Sequence, residues 1–144
     1  VTEAVKDFTS TLQDYPLQIE FEEDPRSPIC SLAPLEFELA VFNLLKNAKE
    51  ALKAQKADEP KVFIKISSGE THCFVDISDN GAVISDSDFE RMGSVFKSGK
   101  ASGLGIGLSI VRSIVQNHNG SLVLERGKNG GLVCRIRLPI LNAQ

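Results

Sequence analysis

The sequence predicts an α+β fold, a two-layer α/β sandwich in which a mixed sheet packs against three helices. Three observations predict it: long segments with apolar residues at helical spacing, shorter segments in which apolar and polar residues alternate, and turn residues between them. Strands mixed with helices on a chain of 144 residues favour this architecture. The chain is long enough to bury the core of one domain, since roughly two-thirds of the unfolded surface is buried at this length.

The N-terminal segment predicts the end of a helix followed by a strand. Apolar residues recur at helical spacing from Val1 to Leu12, and the pattern stops before Pro16. We therefore divide the chain into residues 1–14, the end of a helix or a linker, and residues 15–144, one domain. From Leu17 to Phe21 apolar and polar residues alternate, which predicts a half-buried strand before a proline-containing loop.

The longest predicted helix runs from about Pro34 to Gln55. Projected at about 100° per residue, its apolar residues form one wide stripe. Asn43 and Asn47 lie together at the edge of this stripe. The stripe consists of Phe37, Ala40, Val41, Leu44, Leu45, Ala48, Ala51 and Leu52.

Two strands and a short helix are predicted next. Lys61–Ser67 and Thr71–Ile77 alternate apolar and polar residues around a Ser-Gly-Glu turn, so the sheet should be at least partly antiparallel. A short helix is predicted from Asp86 to Met92. The glycine- and serine-rich segment from Gly93 to Ser102 is predicted to be a mobile loop.

The C-terminal part predicts a third helix and a strand pair. Isoleucines at helical spacing follow the glycines near residue 105, and the helix is expected to end near His118-Asn119-Gly120, with a glycine C-cap. Ser121–Glu125 and Leu132–Leu138 predict two strands that are split by a Lys-Asn-Gly-Gly turn. The helix stripe is expected to consist of Ile106, Ile110, Ile114 and Val115.

Composition excludes several classes of function. A formal net charge of −3 and the lack of a basic face argue against binding nucleic acid by phosphate neutralisation. Cys30, Cys73 and Cys134 are odd in number and lack CxxC spacing, so neither a disulfide framework nor a zinc site is predicted, and a reducing, cytoplasmic setting is favoured. No apolar run is long enough to span a membrane, so any membrane anchor would lie outside this sequence.

A glycine-rich segment opens the third helix. Gly103, Gly105 and Gly107 leave the backbone bare where the helix begins, so unpaired N–H groups and the positive end of the helix dipole can face phosphate oxygens. Taken alone, the pattern is equally typical of close packing. Its spacing differs from that of dinucleotide-binding turns, and the segment from Ser94 to Ala101 lacks the first glycine and the final hydroxyl residue of a Walker A loop.

Two amides four residues apart mark the longest helix. An asparagine beside an apolar helix face has a cost in helix propensity, and its amide must be satisfied, so Asn43 and Asn47 need an explanation. Asn47 could offer its side-chain oxygen to Mg²⁺, the hard cation that bridges phosphates. The alternative is that both amides cap neighbouring loops.

Asp79 ends an apolar strand at a turn. A carboxylate there can accept a hydrogen bond from the amino group of adenine and would repel the oxygen of guanine. An Asp-Asn-Gly turn without a ligand is the alternative. Asp76 is expected to face water, His118 to cap a helix C-terminus, and His72 to be structural.

In this order, the motifs resemble the ATP-binding catalytic domain of sensor histidine kinases. This HATPase_c domain belongs to the GHKL superfamily, which also includes DNA gyrase B, HSP90 and MutL ATPases. NLLKNAKEAL is similar to the N box, SDNG to the G1 box, Phe89–Phe96 to the F box, GLGIGLSIV to the G2 box and Gly130-Gly131 to the last glycine element. The resemblance covers about Pro34–Pro139 and is strongest to the nitrogen-regulation and oxygen-sensing branch.

The resemblance implies a Bergerat-type fold, the cofactors ATP and Mg²⁺, and a role for each motif residue. Asn47 would ligate Mg²⁺, Asn43 would lie beside the phosphates, and Asp79 with Gly81 would bind adenine. Asn43 and Lys100, a lysine of the lid, would be the catalytic residues. The phosphate-binding segment would comprise Gly103, Leu104, Gly105, Ile106, Gly107 and Leu108.

Asn43 separates the subfamilies on chemical grounds. Hydrolytic members of the superfamily, and related serine kinases, carry a glutamate at this position, four residues before the metal asparagine, where it can deprotonate a water or hydroxyl nucleophile. An amide cannot act as that base. An imidazole needs none, because much of it is unprotonated near neutral pH at a pKa of about 6.5. The sequence therefore favours transfer of the γ-phosphoryl group to a histidine.

Two departures from the family pattern leave alternatives open: Val83 in the G1 box, and a short lid with Ser98-Gly99-Lys100 where two threonines and a lysine are common. Val83 stands where a second glycine of the G1 box is usual and could narrow the pocket or restrict lid entry. Neither His72 nor His118 lies on a helical hairpin, so the substrate histidine is expected on a dimerisation hairpin outside this chain, with residues 1–14 as its tail. The predicted function is the catalytic domain of a two-component kinase. The alternatives are an ATP-binding regulatory or scaffold domain without transfer, and an ATP hydrolase.

The resemblance also implies partners and a location. The dimerisation hairpin of the full-length protein and a response regulator are the expected protein partners, and no nucleic acid is expected. The full-length protein is expected to be a homodimer, and this fragment a monomer. Its setting is expected to be the cytoplasm, including the cytoplasmic part of a membrane-anchored sensor.

Overall fold

The computed structural model describes residues 1–24, 33–98 and 104–140, with side chains for 1–24, 33–94 and 107–140. The described residues form four helices and one five-stranded sheet, so the predicted α+β sandwich is confirmed. The helix beyond the three predicted is the N-terminal segment. The elements are α1 Thr2–Ser10, β1 Gln18–Glu23, α2 Pro34–Ala54, β2 Lys61–Ser68, β3 His72–Asp79, α3 Asp86–Ser98, α4 Leu104–Asn117, β4 Ser121–Arg126 and β5 Leu132–Pro139.

The sheet is mixed, as predicted. Its strand order is β1-β2-β3-β5-β4, with β1 parallel to β2 and every other pair antiparallel. The register places Ile64, Ile77 and Cys134 in one row across three strands, and all three side chains are buried. Alternation along β3 puts Asp79 on this same inner face. The last residue of β3 is therefore a carboxylate at the edge of the core.

Helix α2 supplies most of the helical side of the core. All but one of the residues predicted for its apolar stripe are buried, and Ala51 is half-buried. A stripe this wide buries a helix face against the sheet and against α4 at once, and α2 contacts β2, β3 and α4. Glu36 and Glu50 are exposed, as expected for the flanks of the stripe.

Helix α1 packs on the outer side of α2. Phe8 is only 1% exposed, and its ring meets that of Phe42 edge to face, with centroids 5.7 Å apart. Ala4 and Leu12 belong to the same buried cluster. The N-terminal segment thus contributes side chains to the core of the domain.

We expect Phe8→Ala to lower the free energy of unfolding by about 3–5 kcal/mol, because a buried ring is lost and a cavity remains. Urea denaturation monitored by circular dichroism measures this change. Thr9→Ala, at the next and exposed position of α1, is the control and should change stability by less than about 1 kcal/mol. A small effect of Phe8→Ala would mean that α1 does not fold together with the domain.

The prediction for the end of α3 is wrong. Helix α3 continues to Ser98, past the predicted loop start at Gly93, because Phe89, Met92 and Phe96 keep a helical spacing that one internal glycine does not interrupt. Residues 99–102, the rest of the predicted loop, lie outside the described residues, as do Cys30 and the loop from Pro25 to Pro28.

Helix α4 ends at Asn117, close to its predicted end, but its cap is not the predicted glycine. Asn119 adopts the left-handed conformation (φ 60°), and Gly120 is the next residue, whose N–H donates to the Val115 carbonyl at 2.9 Å. This is a Schellman motif, with asparagine in the position usually held by glycine. The buried face of α4 also differs, because Ile110 is exposed, while the described buried residues are Leu108, Val111, Ile114 and Val115.

The prediction that Asp76 faces water is wrong. Its side chain is 15% exposed and accepts two hydrogen bonds from Arg135, at 2.8 and 2.9 Å. The two residues are direct partners in the antiparallel β3–β5 pair, so register alone brings them together.

Within the described parts of the chain, no helix has the length and apolar character needed to cross a membrane.

Candidate functional site

A cavity opens between α2, α4 and the ends of β3 and β5. Its enclosed volume is about 70 Å³, and its mouth is open to solvent. Its polar lining comes from Asn47, Gln55 and Asp79. Its apolar walls include Leu44, Ala48, Ala51, Ile77, Met92 and Leu132. Alanines at two of the wall positions on α2 leave room that larger residues would fill.

Asn47 faces this cavity with an unsatisfied amide. Its Nδ2 is buried and has no hydrogen-bond partner among the described residues, although buried polar groups are almost always paired. One turn earlier, the Nδ2 of Asn43 donates to the Leu39 carbonyl at 2.8 Å. The Oδ1 of Asn43 takes no part in this bond. Asn47 therefore does not cap a loop, which was the alternative drawn from the sequence.

Gly107 brings the first turn of α4 against both amides. A methyl group built on Gly107 would lie 3.2 Å from Oδ1 and from Nδ2 of Asn47, and 3.6 Å from Oδ1 of Asn43. Glycine at this position lets the start of α4 approach α2 without displacing the carboxamides. The positive end of the α4 dipole thus lies beside Asn43 and Asn47.

His118 fixes the other end of α4 to the start of α2. Its Nδ1–H donates to the Ile114 carbonyl at 2.7 Å, and its Nε2 accepts the Ala33 N–H at 2.8 Å. His118 thus caps the last turn of α4 through a hydrogen bond, and the ring also sets the position of α4 along α2.

The Asp79 carboxylate is oriented by two backbone donors. The Gly81 N–H lies 2.8 Å from Oδ1, and the Leu132 N–H lies 3.4 Å from Oδ2. Burial raises the pKa of Asp79 above its ordinary value, and these hydrogen bonds offset only part of that rise. Burial raises the pKa of the neighbouring Cys134 thiol to about 12, and the charge of Asp79 adds to this effect. Cys134 therefore stays a neutral thiol in the cavity wall.

The raised pKa of Asp79 predicts a pH-dependent stability. The folded protein holds this proton at a pH where the unfolded chain has released it, so the contribution to stability is full below the ordinary pKa. It is lost as the pH rises through the raised pKa. Relative to Asp79→Asn, which cannot ionise, the wild type should therefore lose stability over that pH window. Urea denaturation at a series of pH values measures the difference, and Asp58→Asn, at an exposed position, controls for the loss of one charge.

The turn between β4 and β5 closes the cavity beside Asp79. Gly131 has a φ of 76°, and a methyl group built on it would lie 2.1 Å from the Asp79 carbonyl oxygen and 2.6 Å from its Oδ1. The Gly131 N–H also donates to the Ala82 carbonyl at 2.9 Å. Only glycine fits this position, and its close approach holds the Asp79 backbone against β5.

The segment after Asp79 is held from two sides. Asn80 bonds to the backbone of Lys61 and Glu59, each at 2.8 Å, and the Ala82 N–H donates to Oε1 of Gln55 at 2.8 Å. These bonds join the start of β2 and the end of α2 to the cavity rim.

Arg126 secures the next part of the rim. Its guanidinium donates to the Ile84 carbonyl at 3.2 Å, pairs with Asp86 and lies over the ring of Phe89. The wall residue Ile84 and the first turn of α3 are thus attached to β4.

Val83 does not narrow the cavity. Its side chain is 78% exposed and is absent from the cavity lining, so it does not reduce the cavity volume. The methyl groups point to solvent because the Val83 backbone, rather than its side chain, packs beside Gly130.

The structure gathers most of the predicted site residues. Asn47, Asp79 and Leu108 line the cavity, while Gly107 touches the asparagine pair and Gly81 accommodates Asp79. Leu104, Gly105 and Ile106 form the first turn of α4, so the predicted glycine turn is already helical there. Lys100 and Gly103 lie outside the described residues.

Several lining residues were missed from the sequence. Ala48 and Ala51 share a face with Asn47 and were assigned only to the core, although two small residues beside an amide could have signalled open space. Gln55, at the end of α2, carries no sequence signal, because its partner Ala82 is distant in the chain.

The arrangement fits a magnesium-bound nucleotide. The unpaired Asn47 amide and the bare Gly107 backbone offer polar groups at a helix N-terminus, and Asp79 offers an acceptor in an apolar cleft. Within the described ranges, no group of three His, Cys, Asp or Glu side chains could hold a metal alone. The Asn47 carboxamide, together with water and phosphate oxygens, is a ligand set of the kind that Mg²⁺ usually takes.

Comparison with known sequences agrees with these motifs. The family model described as histidine kinase-, DNA gyrase B- and HSP90-like ATPase matches residues 33–142. The chain is 30% identical over 123 residues to sensor protein FixL of Bradyrhizobium diazoefficiens, covering 85% of this chain and 24% of FixL. It is 26% identical over 132 residues to sporulation kinase E of Bacillus subtilis, covering 91% of this chain and 17% of that kinase. The chain therefore spans a quarter or less of these two relatives.

Comparison with solved structures agrees on the fold. The catalytic domain of histidine kinase ThkA, in a nucleotide-free form, matches with a TM-score of 0.79 at 24% identity, covering 96% of this chain and 88% of that one. Mycobacterial sensor histidine kinase MprB matches with a TM-score of 0.73 at 21% identity, covering 96% and 95%. The match to FixL is loosely consistent with the branch that the motifs predict.

Proposed function

Because this chain belongs to the histidine kinase-, DNA gyrase B- and HSP90-like ATPase family, as the catalytic ATPase domain of a sensor histidine kinase, we propose that it binds Mg·ATP and transfers the γ-phosphoryl group to a histidine. That histidine would lie on a dimerisation hairpin elsewhere in the full-length protein. The convergence of Asn47, the start of α4 and Asp79 on one cavity carries the proposal.

Each group has a distinct role in the proposal. Asn47 holds Mg²⁺, which neutralises phosphate charge when bound, and the first turn of α4 offers backbone N–H groups to the phosphates. Asp79 accepts a hydrogen bond from the adenine amino group. Asn43 and Lys100 stay proposed catalytic residues, Asn43 beside the phosphates and Lys100 as a point charge.

Transfer to a histidine needs no base at Asn43. In the proposed step an imidazole nitrogen attacks the γ-phosphorus, the bond to the β,γ-bridging oxygen breaks, ADP leaves and the imidazole loses its proton to solvent. The Asn43 amide already donates to the Leu39 carbonyl and has no lone pair basic enough to take a proton from water. This favours phosphotransfer over hydrolysis.

Two experiments test this function. Calorimetric titration with ATP, with and without Mg²⁺, should show binding that Mg²⁺ strengthens. Incubation with γ-labelled ATP and a separately produced hairpin of the full-length protein should then label the hairpin histidine. Binding without labelling would support the regulatory or scaffold alternative, and rapid phosphate release would support hydrolysis.

We expect Asp79→Asn to reduce the preference for ATP over GTP by about 10- to 100-fold, because a charged acceptor for the amino group is replaced by an amide. Competition between the two nucleotides for a fluorescent ATP analogue measures the preference. Asp58→Asn should leave it unchanged. An unaltered preference in Asp79→Asn would contradict the assignment of this carboxylate to the base.

The wider context belongs to the same proposal. We propose that the full-length kinase is a homodimer, that a response regulator accepts the phosphoryl group, and that the protein is cytoplasmic. These three proposals rest on the proposed function and not on features of this domain. Residues 1–14 would lead from the dimerisation hairpin into residues 15–144. In that case α1 would link the hairpin directly to α2, because Phe8 packs against Phe42.

A further inference from the structure

Gln55, the C-cap residue of α2, lines the same cavity as Asp79. Its side-chain oxygen accepts the Ala82 N–H at 2.8 Å. This bond fixes the orientation of the carboxamide, because a backbone N–H needs the oxygen and not the nitrogen of an amide. The Nε2 of Gln55 can still donate, and none of the described residues accepts a hydrogen bond from it.

The carboxamide of Gln55 and the carboxylate of Asp79 flank one glycine. A methyl group built on Gly81 would lie 2.7 Å from Asp79 Oδ1, 2.8 Å from Gln55 Oε1 and 3.3 Å from Gln55 Nε2. The absence of a side chain at Gly81 therefore allows an acceptor and a donor to stand side by side at the cavity. Asp79 comes from the end of a strand and Gln55 from the end of a helix, so tertiary packing alone creates the pair.

An adjacent acceptor and donor complement one edge of adenine. The adenine amino group is a donor flanked by two ring nitrogens, N1 and N7, which are acceptors. A glutamine amide can donate to such a nitrogen while a carboxylate accepts from the amino group. Guanine presents an oxygen in place of the amino group and mismatches the carboxylate.

We propose that Gln55 is a second base-reading residue of this cavity, whose Nε2 donates to the adenine ring nitrogen next to the amino group that Asp79 accepts. This proposal rests on the proposed function, because it requires an adenine nucleotide in the cavity. Gln55 lies beyond the asparagine-containing motif of α2, so the proposal adds a contact that the motifs do not assign.

The test compares nucleotides that lack one ring nitrogen. Dissociation constants for Mg·ATP, Mg·7-deaza-ATP and Mg·1-deaza-ATP are measured by calorimetry for the wild type, Gln55→Glu and Gln55→Leu. The glutamate variant keeps an acceptor for the Ala82 N–H but has no donor at neutral pH, so it retains the structural bond and loses the contact to the base. Gln116→Glu, on the exposed face of α4, is the matched control.

One of the two analogues lacks the ring nitrogen that Gln55 contacts. The wild type and Gln116→Glu should bind that analogue about 5- to 10-fold more weakly than ATP, the effect of one hydrogen bond. Gln55→Glu and Gln55→Leu should bind that analogue and ATP equally well. Because each ratio is taken within one variant, the added charge of glutamate cancels. In Gln55→Leu the affinity for ATP should fall further, since the bond to Ala82 is also lost.

Two results would overturn the proposal while leaving the proposed function intact. One is a wild type that binds both deaza nucleotides as tightly as ATP. The other is a Gln55→Glu variant that discriminates as strongly as the wild type, which would leave Gln55 only its bond to Ala82. A wild type that binds no adenine nucleotide would instead overturn the proposed function, and this inference with it.

Discussion

Asn47→Ala is expected to reduce the affinity for Mg·ATP by about 100-fold or more and to remove the dependence of binding on Mg²⁺, because the proposed metal ligand is lost. The same change should leave the folded domain intact. The Asn47 Nδ2 is buried without a partner, so its removal costs no hydrogen bond, and alanine favours a helix by up to about 0.7 kcal/mol over asparagine. Stability and binding should therefore move independently.

Calorimetric titration of ATP with and without Mg²⁺, combined with urea denaturation of the nucleotide-free protein, measures both effects. Asn117→Ala, at the exposed end of α4, controls for the loss of an amide and should bind like the wild type. Unchanged Mg²⁺-dependent binding in Asn47→Ala would remove this residue from the proposed site. A large loss of stability would show instead that its amide has a structural partner.

Gly131→Ala is expected to lower the free energy of unfolding by about 2–5 kcal/mol. The left-handed φ of 76° costs about 1–2 kcal/mol for a residue with a side chain. A methyl group 2.1 Å from the Asp79 carbonyl oxygen must also push two backbones apart, which adds about 1–3 kcal/mol. Because the displaced backbone is that of Asp79, the preference for ATP over GTP should fall as well.

Gly93→Ala is the matched control for this change. Gly93 lies inside α3, and a methyl group built there meets no atom within 4 Å, so alanine should raise stability by about 1 kcal/mol. Urea denaturation of both variants gives the comparison. If Gly131→Ala loses less than 1 kcal/mol, the turn between β4 and β5 can move away from Asp79 and does not hold the carboxylate.

The sequence predicted well those features that depend on local periodicity. The apolar stripe of α2 and the turn between β2 and β3 follow from residues close together in the chain, and the structure has both. The placement of Asn43 and Asn47 at the edge of that stripe also needed only the geometry of one helix. At Gly93 the sequence predicted the start of a loop, although apolar residues continued at helical spacing beyond it. The helix continues through this glycine.

Features that depend on non-local pairing were not predictable in the same way. The bond from Arg135 to Asp76 needs the register of β3 against β5, which are separated by two helices and a strand. The exposure of Val83 depends on how its backbone packs beside Gly130, another distant segment. Neither arrangement leaves a pattern in neighbouring residues.

By itself, the sequence determined which residues are chemically able to serve a nucleotide site and the helix or strand end on which each one lies. Hydrophobic periodicity and turn residues are local, so one chain segment suffices to reveal them. Only the tertiary structure decided that Asn47, Asp79 and Gln55 share one cavity and that Gly131 abuts the Asp79 backbone. Those contacts arise when a single apolar core packs α2, α4 and the sheet together, and packing between distant segments carries no local signature.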